Sequence, residues 1–417
     1  MEKELFRTII AENQEYIGRI PLVQRPLDLE EYGNYVFVGV RQAGKSYLLY
    51  QRIQQLLANG VEIENIVYVN FDDERLQGMS VTDLDLILQA YHSMYDSQPI
   101  FFFDEIQNVE GWANFARRLA NQKYRVYITG SNAKMLSRDI ETVLGGRYLD
   151  ISVFPYNFSE YLKAVGVLVT KNWQYGRKAN ELQRHFRTYF DWGGFPELVH
   201  FQEKRVWLNS LYNRIFFNDL VVRHKIKNED ALRLCVRRLA ESVKQPCSLN
   251  RLSNLIKATG IPCSPSTVME YVRYLQESCL LISIDNYASK FVEKETIKKH
   301  YFVDNGLLHL FINNPNTSLL ENLCTITLYK KYGKGLYYYN RNIEVDFYVP
   351  DEGLAVQASY QMSDEETIER EVKALVTLHG LYPLKRAMII TYEDEGEIVR
   401  DGLKIEIRPA WKWVLEG

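Results

Sequence analysis

The chain has 417 residues, of which 46% are hydrophobic and 25% charged, and its formal net charge at pH 7 is −3. That length exceeds one ordinary core and predicts roughly two to four domains of a globular protein. The weak negative charge excludes a polycation that coats nucleic acid, though it leaves room for a local basic face.

In chain order, the first strong signal is Tyr35-Val36-Phe37-Val38, a short apolar run that reads as a buried strand. It runs directly into Gly39-Val40-Arg41-Gln42-Ala43-Gly44-Lys45-Ser46 and then Tyr47. Leu49, Ile53, Leu56 and Leu57 give the following helix an apolar stripe, and Asn59-Gly60 ends it. The stretch fits G-x-x-x-x-G-K-[ST], a phosphate-binding loop. Gly39 lets the chain leave the strand sharply, and Gly44 lets backbone N–H groups turn inward around phosphates. Lys45 reaches the terminal phosphates of ATP, the Ser46 hydroxyl ligates Mg²⁺, and the helix adds its positive amino end. Residues 39–47 are thus the expected nucleotide cradle.

A run at Ile66–Val69 ends in Asn70-Phe71-Asp72-Asp73, which reads as a structural turn. Ile100-Phe101-Phe102-Phe103 is solidly apolar, as for a buried parallel strand, and ends in Asp104-Glu105. Behind a phosphate loop this is the Walker B arrangement: Asp104 holds the Mg²⁺ shell and Glu105 polarises the attacking water. Arg125–Thr129 forms a third such strand and ends in Gly130-Ser131-Asn132. A side chain there either contacts the γ-phosphate or lytic water or caps a helix, and residue type does not separate the two. Tyr148–Phe154 supplies a fifth strand. Strands alternating with helical patterns imply a parallel sheet with its ligand at the strands' carboxyl ends.

The stretches "GVRQAGKS", "FFFDEIQ", "ITGSNAKML", "VLGGRYLDISVFPYNFSEYL" and "YFDWGGFPELV" together resemble, in this order, a family of prokaryotic AAA+-superfamily ATPases with a C-terminal domain of unknown function. The resemblance implies that Ser131 or Asn132 is the sensor at a strand end. It also implies that Arg147 lies close to nucleotide, in its own or a neighbouring subunit of a homo-oligomer. Residue type alone also allows Arg147 a surface salt bridge.

Beyond Pro155, helices are expected at Phe158–Val165, Lys178–Phe190 and Lys204–Lys225, interrupted by Gly193-Gly194-Phe195-Pro196. This is the position of a helical lid, and the glycines serve as a hinge or as a helix stop. Leu232, Cys235, Val236 and Leu239 then repeat helically. Ser248 caps a second helix, Gly260-Ile261-Pro262 breaks it, and Ser264 or Ser266 opens a third, with a strand at 280–284. That is a winged-helix pattern. Its third helix carries Arg273 but also Glu270 and Glu277, a thin footprint for DNA, so DNA and protein both stand as partners.

In the last 120 or so residues the order of Glu321, "IEVDFYV" and "LAVQASY" resembles a PD-(D/E)XK nuclease-like fold. Working members place a carboxylate-type residue and a lysine where this chain has Gln357 and Ser359, so an inactive domain is expected. Glu344 and Asp346 share one side of their strand by period two, leaving room for weak metal binding. Lys330 or Lys331 is a candidate to migrate into the lysine's role.

The expected fold is α/β: an AAA+-like P-loop parallel sheet over 1–155, a helical lid over 156–228, a winged helix over 229–290 and a nuclease-like α/β domain over 291–417. The expected activity is Mg²⁺-dependent ATP hydrolysis that switches the C-terminal half. The rival readings are a DNA-binding or regulatory protein with structural nucleotide, and an ATP-regulated nuclease. Five cysteines without a C-x-x-C predict reduced thiols in a cytoplasmic protein, and no apolar run approaches the ~20 residues a membrane span needs.

Overall fold

The computed structural model describes residues 1–136 and 138–416; Ser137 and Gly417, the last residue of the expected tail, lie outside it. The chain packs as two compact units, Met1–Phe154 and Pro155–Gly417.

In the first unit the helices are α1 (Lys3–Tyr16), α2 (Lys45–Ala58), α3 (Leu84–His92), α4 (Trp112–Asn121) and α5 (Arg138–Leu144). The strands are β1 (Tyr35–Val38), β2 (Ile66–Asn70), β3 (Ile100–Asp104), β4 (Arg125–Gly130) and β5 (Leu149–Ser152). Among the described residues these strands form one parallel sheet in the order β2-β3-β4-β1-β5. β1 and β3 are buried along their whole length, which is why they read as unbroken apolar runs. Aromatic faces stack through the middle layer, Phe102 on Tyr127 at 4.8 Å and Tyr127 on Tyr35 at 6.0 Å. Parallel pairing brings the ends of β1, β3 and β4 to one edge of the sheet, with β4 between the other two. Helix α1 was not anticipated; it buries Phe6, Ile9 and Ile10, and Asn13 donates to the Tyr68 carbonyl at 3.1 Å.

The second unit begins with α6 (Phe158–Ala164), α7 (Gly176–Trp192) and α8 (Lys204–Arg214), the last continued by a π-helical stretch at Ile215–Val222. Next come α9 (Glu229–Glu241), β6 (Cys247–Ser248), α10 (Leu249–Lys257), α11 (Pro265–Glu277), β7 (Leu281–Asn286), α12 (Phe291–Thr296) and β8 (Ile297–Phe302). The caps of α10 and α11 are Ser248 and Ser264, whose hydroxyls accept from Arg251 and Thr267 N–H groups. The remainder is α13 (Asn305–His309), α14 (Asn316–Tyr332), β9 (Tyr337–Asn340), β10 (Glu344–Val349), β11 (Leu354–Ala358), α15 (Glu365–Leu381), β12 (Arg386–Thr391), β13 (Gly396–Arg400), β14 (Leu403–Pro409) and α16 (Ala410–Glu416).

Among the described residues the strands of this unit form one sheet, β13-β14-β12-β11-β10-β9-β7-β8-β6. β7 pairs antiparallel with β8 and parallel with β9. The edge expected at 290/291 therefore falls inside a continuous sheet, and the three segments expected after residue 155 pack as one unit. The reason is a pairing between residues some fifty positions apart, which no local pattern announces.

The glycine pair of the expected lid is packed rather than free. Gly193 has φ 76° and ψ −163°, and a Cβ there would meet Asp304 Oδ1 at 1.9 Å. Gly194 N–H donates to Asp304 at 2.8 Å, and its carbonyl accepts from Tyr156 N–H at 2.7 Å. Asp304 also accepts from the Gly306 N–H, and Asn305 donates to the Phe190 and Leu319 carbonyls. "VDNG" at 303–306 is thus a polar knot that ties the end of α7 to α13 and α14.

Candidate functional site

The phosphate loop leaves β1 at Gly39, where a Cβ would stand 2.0 Å from the Val153 carbonyl oxygen, so β5's continuation admits only glycine. Gln42 takes φ 61° and Gly44 φ 94°, the left-handed values that fold the loop back before α2 begins at Lys45. Val40 and Ala43 are buried beneath it, and the Val40 carbonyl accepts from Ala43 N–H. Arg25, not singled out from the sequence, pins this turn: its guanidinium donates to the Ala43 carbonyl at 3.2 Å and the Phe154 carbonyl at 3.0 Å.

Lys45 is almost wholly buried. Its Nζ donates to the Gly39 and Val40 carbonyls, each at 3.2 Å, and lies 3.3 Å from Glu105 Oε1. Ser46 hydrogen-bonds the Asp104 carboxylate. Arg41 stands 4.0 Å from Asp72, so the turn after β2, read as structural, also borders the loop. Tyr47 is half exposed on α2, its ring 5.5 Å from that of Tyr50.

Asp104 closes β3 at full burial. It accepts from Tyr68 hydroxyl at 2.7 Å and from the Thr129 hydroxyl. Burial, and next the Glu105 charge, push its carboxyl above the usual range. Glu105 follows at φ 54°, an uncommon conformation for a residue with a side chain. Burial raises its carboxyl, but Lys45, Gln107 and Arg41 together outweigh that and hold it below the usual range. The two adjacent acids are thus shifted in opposite directions, Asp104 upward by burial and Glu105 downward beside Lys45.

Ser131 and Asn132 divide the roles that the sequence left open. Ser131 N–H donates to Glu105 Oε2 at 3.2 Å, and its hydroxyl lies 3.4 Å from Gln107 Nε2, whereas Asn132 Oδ1 accepts from Lys134 N–H at 2.8 Å, capping the next turn. Two further residues escaped the sequence reading. Thr129 bridges both acids, donating to Asp104 and accepting from Glu105 N–H at 3.0 Å, and Gln107 donates to Glu105 at 2.5 Å.

Arg147 is not brought to the loop. It precedes β5 at the amino edge of the sheet, since Leu149 pairs with Tyr35 at the opposite end of β1 from Gly39. It is exposed, donates to the Gly145 carbonyl at 3.0 Å, and borders a cleft with Tyr32, Asn34 and Arg125.

In the second unit Glu321, Glu344 and Asp346 converge as expected, on one side of α14 and β10. Gln357 is engaged in strand pairing: its amide accepts from Asp346 N–H at 2.8 Å and donates to the Glu344 carbonyl at 3.0 Å, clipping β11 to β10. Ser359 donates to the Gln361 carbonyl. Lys330 and Lys331, expected as migrants, sit elsewhere, Lys330 donating to the Pro155 carbonyl and Lys331 lying 5.7 Å over the Tyr332 ring. Among the described residues no group of three or more His, Cys, Asp or Glu side chains is arranged to hold a metal ion, and no helix is long and apolar enough to cross a membrane.

A family model described as an AAA domain matches residues 32–162, and one described as a domain of unknown function, DUF8612, matches 183–318. An uncharacterized protein of Methanocaldococcus jannaschii is 32% identical over 434 residues, spanning 99% of this chain and 96% of that one. An uncharacterized protein of Haemophilus influenzae is 29% identical over 396 residues, spanning 91% and 94%. The Walker-type ATPase PABY2304 of Pyrococcus abyssi is similar at a TM-score of 0.43 and 12% identity, over 74% of this chain and 95% of that one.

Proposed function

We infer, for a chain that belongs to the family of the M. jannaschii relative and carries an AAA domain at residues 32–162, that it binds Mg²⁺–ATP at Gly39–Tyr47 and hydrolyses it. The observation that carries this reading is the convergence of Lys45, Ser46, Asp104 and Glu105 at one sheet edge, with Lys45 Nζ 3.3 Å from Glu105 and Ser46 hydrogen-bonded to Asp104. The inward-turned loop at Gly44 supplies N–H donors for phosphate oxygens, and Lys45 adds a cation. Ser46 and Asp104 offer oxygen donors side by side, a set that suits a hard cation such as Mg²⁺. Bound there, Mg²⁺ would neutralise charge developing on the transferred phosphoryl group. Glu105 accepts a proton from, and orients, the attacking water; Ser131 and Gln107 hold its carboxylate in place, and Thr129 fixes the spacing between the two acids. Arg147, at the far edge of its own sheet, fits a role at a neighbouring subunit's nucleotide in a homo-oligomer.

The nucleotide cycle switches the second unit, whose α9-β6-α10-α11-β7-α12-β8 order supports a winged helix and whose α14-β9-β10-β11-α15-β12 order supports a nuclease-like domain, inactive because Gln357 and Ser359 stand where a carboxylate and a lysine would work. A protein is favoured over DNA as the partner of α11. Its basic residue Arg273 lies 3.7 Å from Glu277 and 5.1 Å over the Tyr274 ring, so its charge is already engaged. Five cysteines, four of them buried, fit a reducing cytoplasm. The test is ATP turnover by wild type against Lys45→Ala. Wild-type turnover that the variant lacks supports the reading, and equal turnover by both refutes it.

A further inference from the structure

Part of the second unit contains a charge cluster that the ATPase reading does not use. Lys299, on β8, is fully buried, yet its Nζ lies 3.1 Å from each of three carboxylates: Glu321 on α14, and Glu344 and Asp346 on β10. The Tyr301 hydroxyl, two residues on along the same strand face, donates to Glu321 at 2.7 Å. Asp346 Oδ2 accepts from Ala358 N–H at 3.1 Å, so both its oxygens are held. The lysine absent from position 359, just after β11, therefore has a counterpart arriving from a strand outside the αβββαβ order, 22 residues before Glu321. It does not arrive where a reacting group could use it. A lysine that assists phosphodiester cleavage must touch solvent or substrate, and Lys299 has no exposed surface.

We propose that Lys299 is a resident cation: its ammonium fills the point among Glu321, Glu344 and Asp346 that a divalent ion would otherwise take, so the nuclease-like domain is metal-free by construction. The chemistry matches on each side. Ammonium and divalent metals both recruit several carboxylate oxygens, and the ammonium adds directional donors that a buried hydroxyl such as Tyr301 complements by satisfying the same carboxylate. Gln357 reinforces the substitution, because its neutral amide ties the two strands together at the point where a further charged ligand would stand. The cleft of about 590 Å³ beside the cluster, bordered by Lys244, Arg370 and Lys373 as well as these acids, then opens onto a lysine-filled cluster and not onto a metal site. This inference concerns the second unit alone and stands or falls apart from the ATP site.

The experiment is Mn²⁺ binding, followed by electron paramagnetic resonance, to wild type, Asp346→Asn, Lys299→Ala and Lys299→Ala/Asp346→Asn, each with the phosphate loop disabled by Lys45→Ala so that the ATP site does not contribute. Wild-type tail sequence is expected to show no Mn²⁺ binding that Asp346→Asn removes. Lys299→Ala is expected to gain a site at least tenfold tighter than the background, lost again in the double variant. A folded Lys299→Ala protein that gains no site overturns the proposal. Should Lys299→Ala not fold, the Lys299-containing proteins decide alone: Mn²⁺ binding removed by Asp346→Asn overturns the proposal, and its absence, together with supercoiled DNA left intact in Mn²⁺, supports it.

Discussion

Replacing Gly193 by alanine separates a hinge from a packed knot. The structure makes Gly193 a contact point, with φ and ψ in a region kept for glycine and a would-be Cβ inside van der Waals range of both Asp304 carboxylate oxygens, at 1.9 and 2.2 Å. Holding alanine in that backbone conformation costs about 1–3 kcal/mol. Moving Asp304 aside breaks its bond from Gly194 N–H and leaves a buried acceptor short of a partner, about 1–3 kcal/mol more. The sum is roughly 4 kcal/mol, which for a unit of this size lowers the melting temperature by about 10 °C. Urea or thermal unfolding followed by tryptophan fluorescence reads it well, because Trp173, Trp192, Trp207, Trp411 and Trp413 all belong to residues 155–417. Gly260→Ala is the control: φ is +86° there too, but nothing lies within 4 Å of the added carbon, so only backbone strain of about 1–2 kcal/mol is expected. If Gly193→Ala costs no more than Gly260→Ala, the contact with Asp304 is not what requires glycine, and the hinge reading returns.

Burial raises the Asp304 carboxyl to about 6, so its contribution to stability is fully present below about pH 4 and is lost as pH rises through about 6; the change is about 3 kcal/mol. Asp304→Asn should flatten that part of the pH–stability profile of the second unit, and an unchanged slope between pH 4 and 6 would show that Asp304 does not titrate as described. Mixing Arg147→Ala with Lys45→Ala subunits should restore ATPase activity if Arg147 serves a neighbour's nucleotide, where an arginine is worth about 10³–10⁵ in rate; no recovery in mixed oligomers, or a monomeric active protein, rules that out.

The phosphate loop and the acidic strand end were legible because their chemistry is written in contiguous residues: Gly39, Gly44, Lys45 and Ser46 lie within eight positions, and Asp104-Glu105 end one apolar run. The choice between Ser131 and Asn132 needed the backbone, since both types cap turns and only geometry shows which faces Glu105. Arg25, Thr129 and Gln107 act through partners that folding brings close: Arg25 reaches Phe154 across 129 positions, and Thr129 reaches Asp104 across 25. Helix α1 was readable in the spacing of Phe6, Ile9 and Ile10, a short stripe among many charges. Lys299 had no local signal at all, because its meaning comes from α14 and β10. The same holds for the β7–β9 pairing that merges the expected winged helix with the tail.

The claim that the site hydrolyses ATP, rather than merely holding it, is tested most directly with Glu105→Gln. This variant keeps Ser46 and Asp104 for Mg²⁺ and Lys45 for the phosphates, and loses only the ionised carboxylate beside them. Radiolabelled ATP followed through binding and release of phosphate should show nucleotide retained at wild-type affinity, with turnover lowered by about 10²–10⁴. Phosphate release by Glu105→Gln at the wild-type rate would contradict the account, because the water would then be activated by some other group.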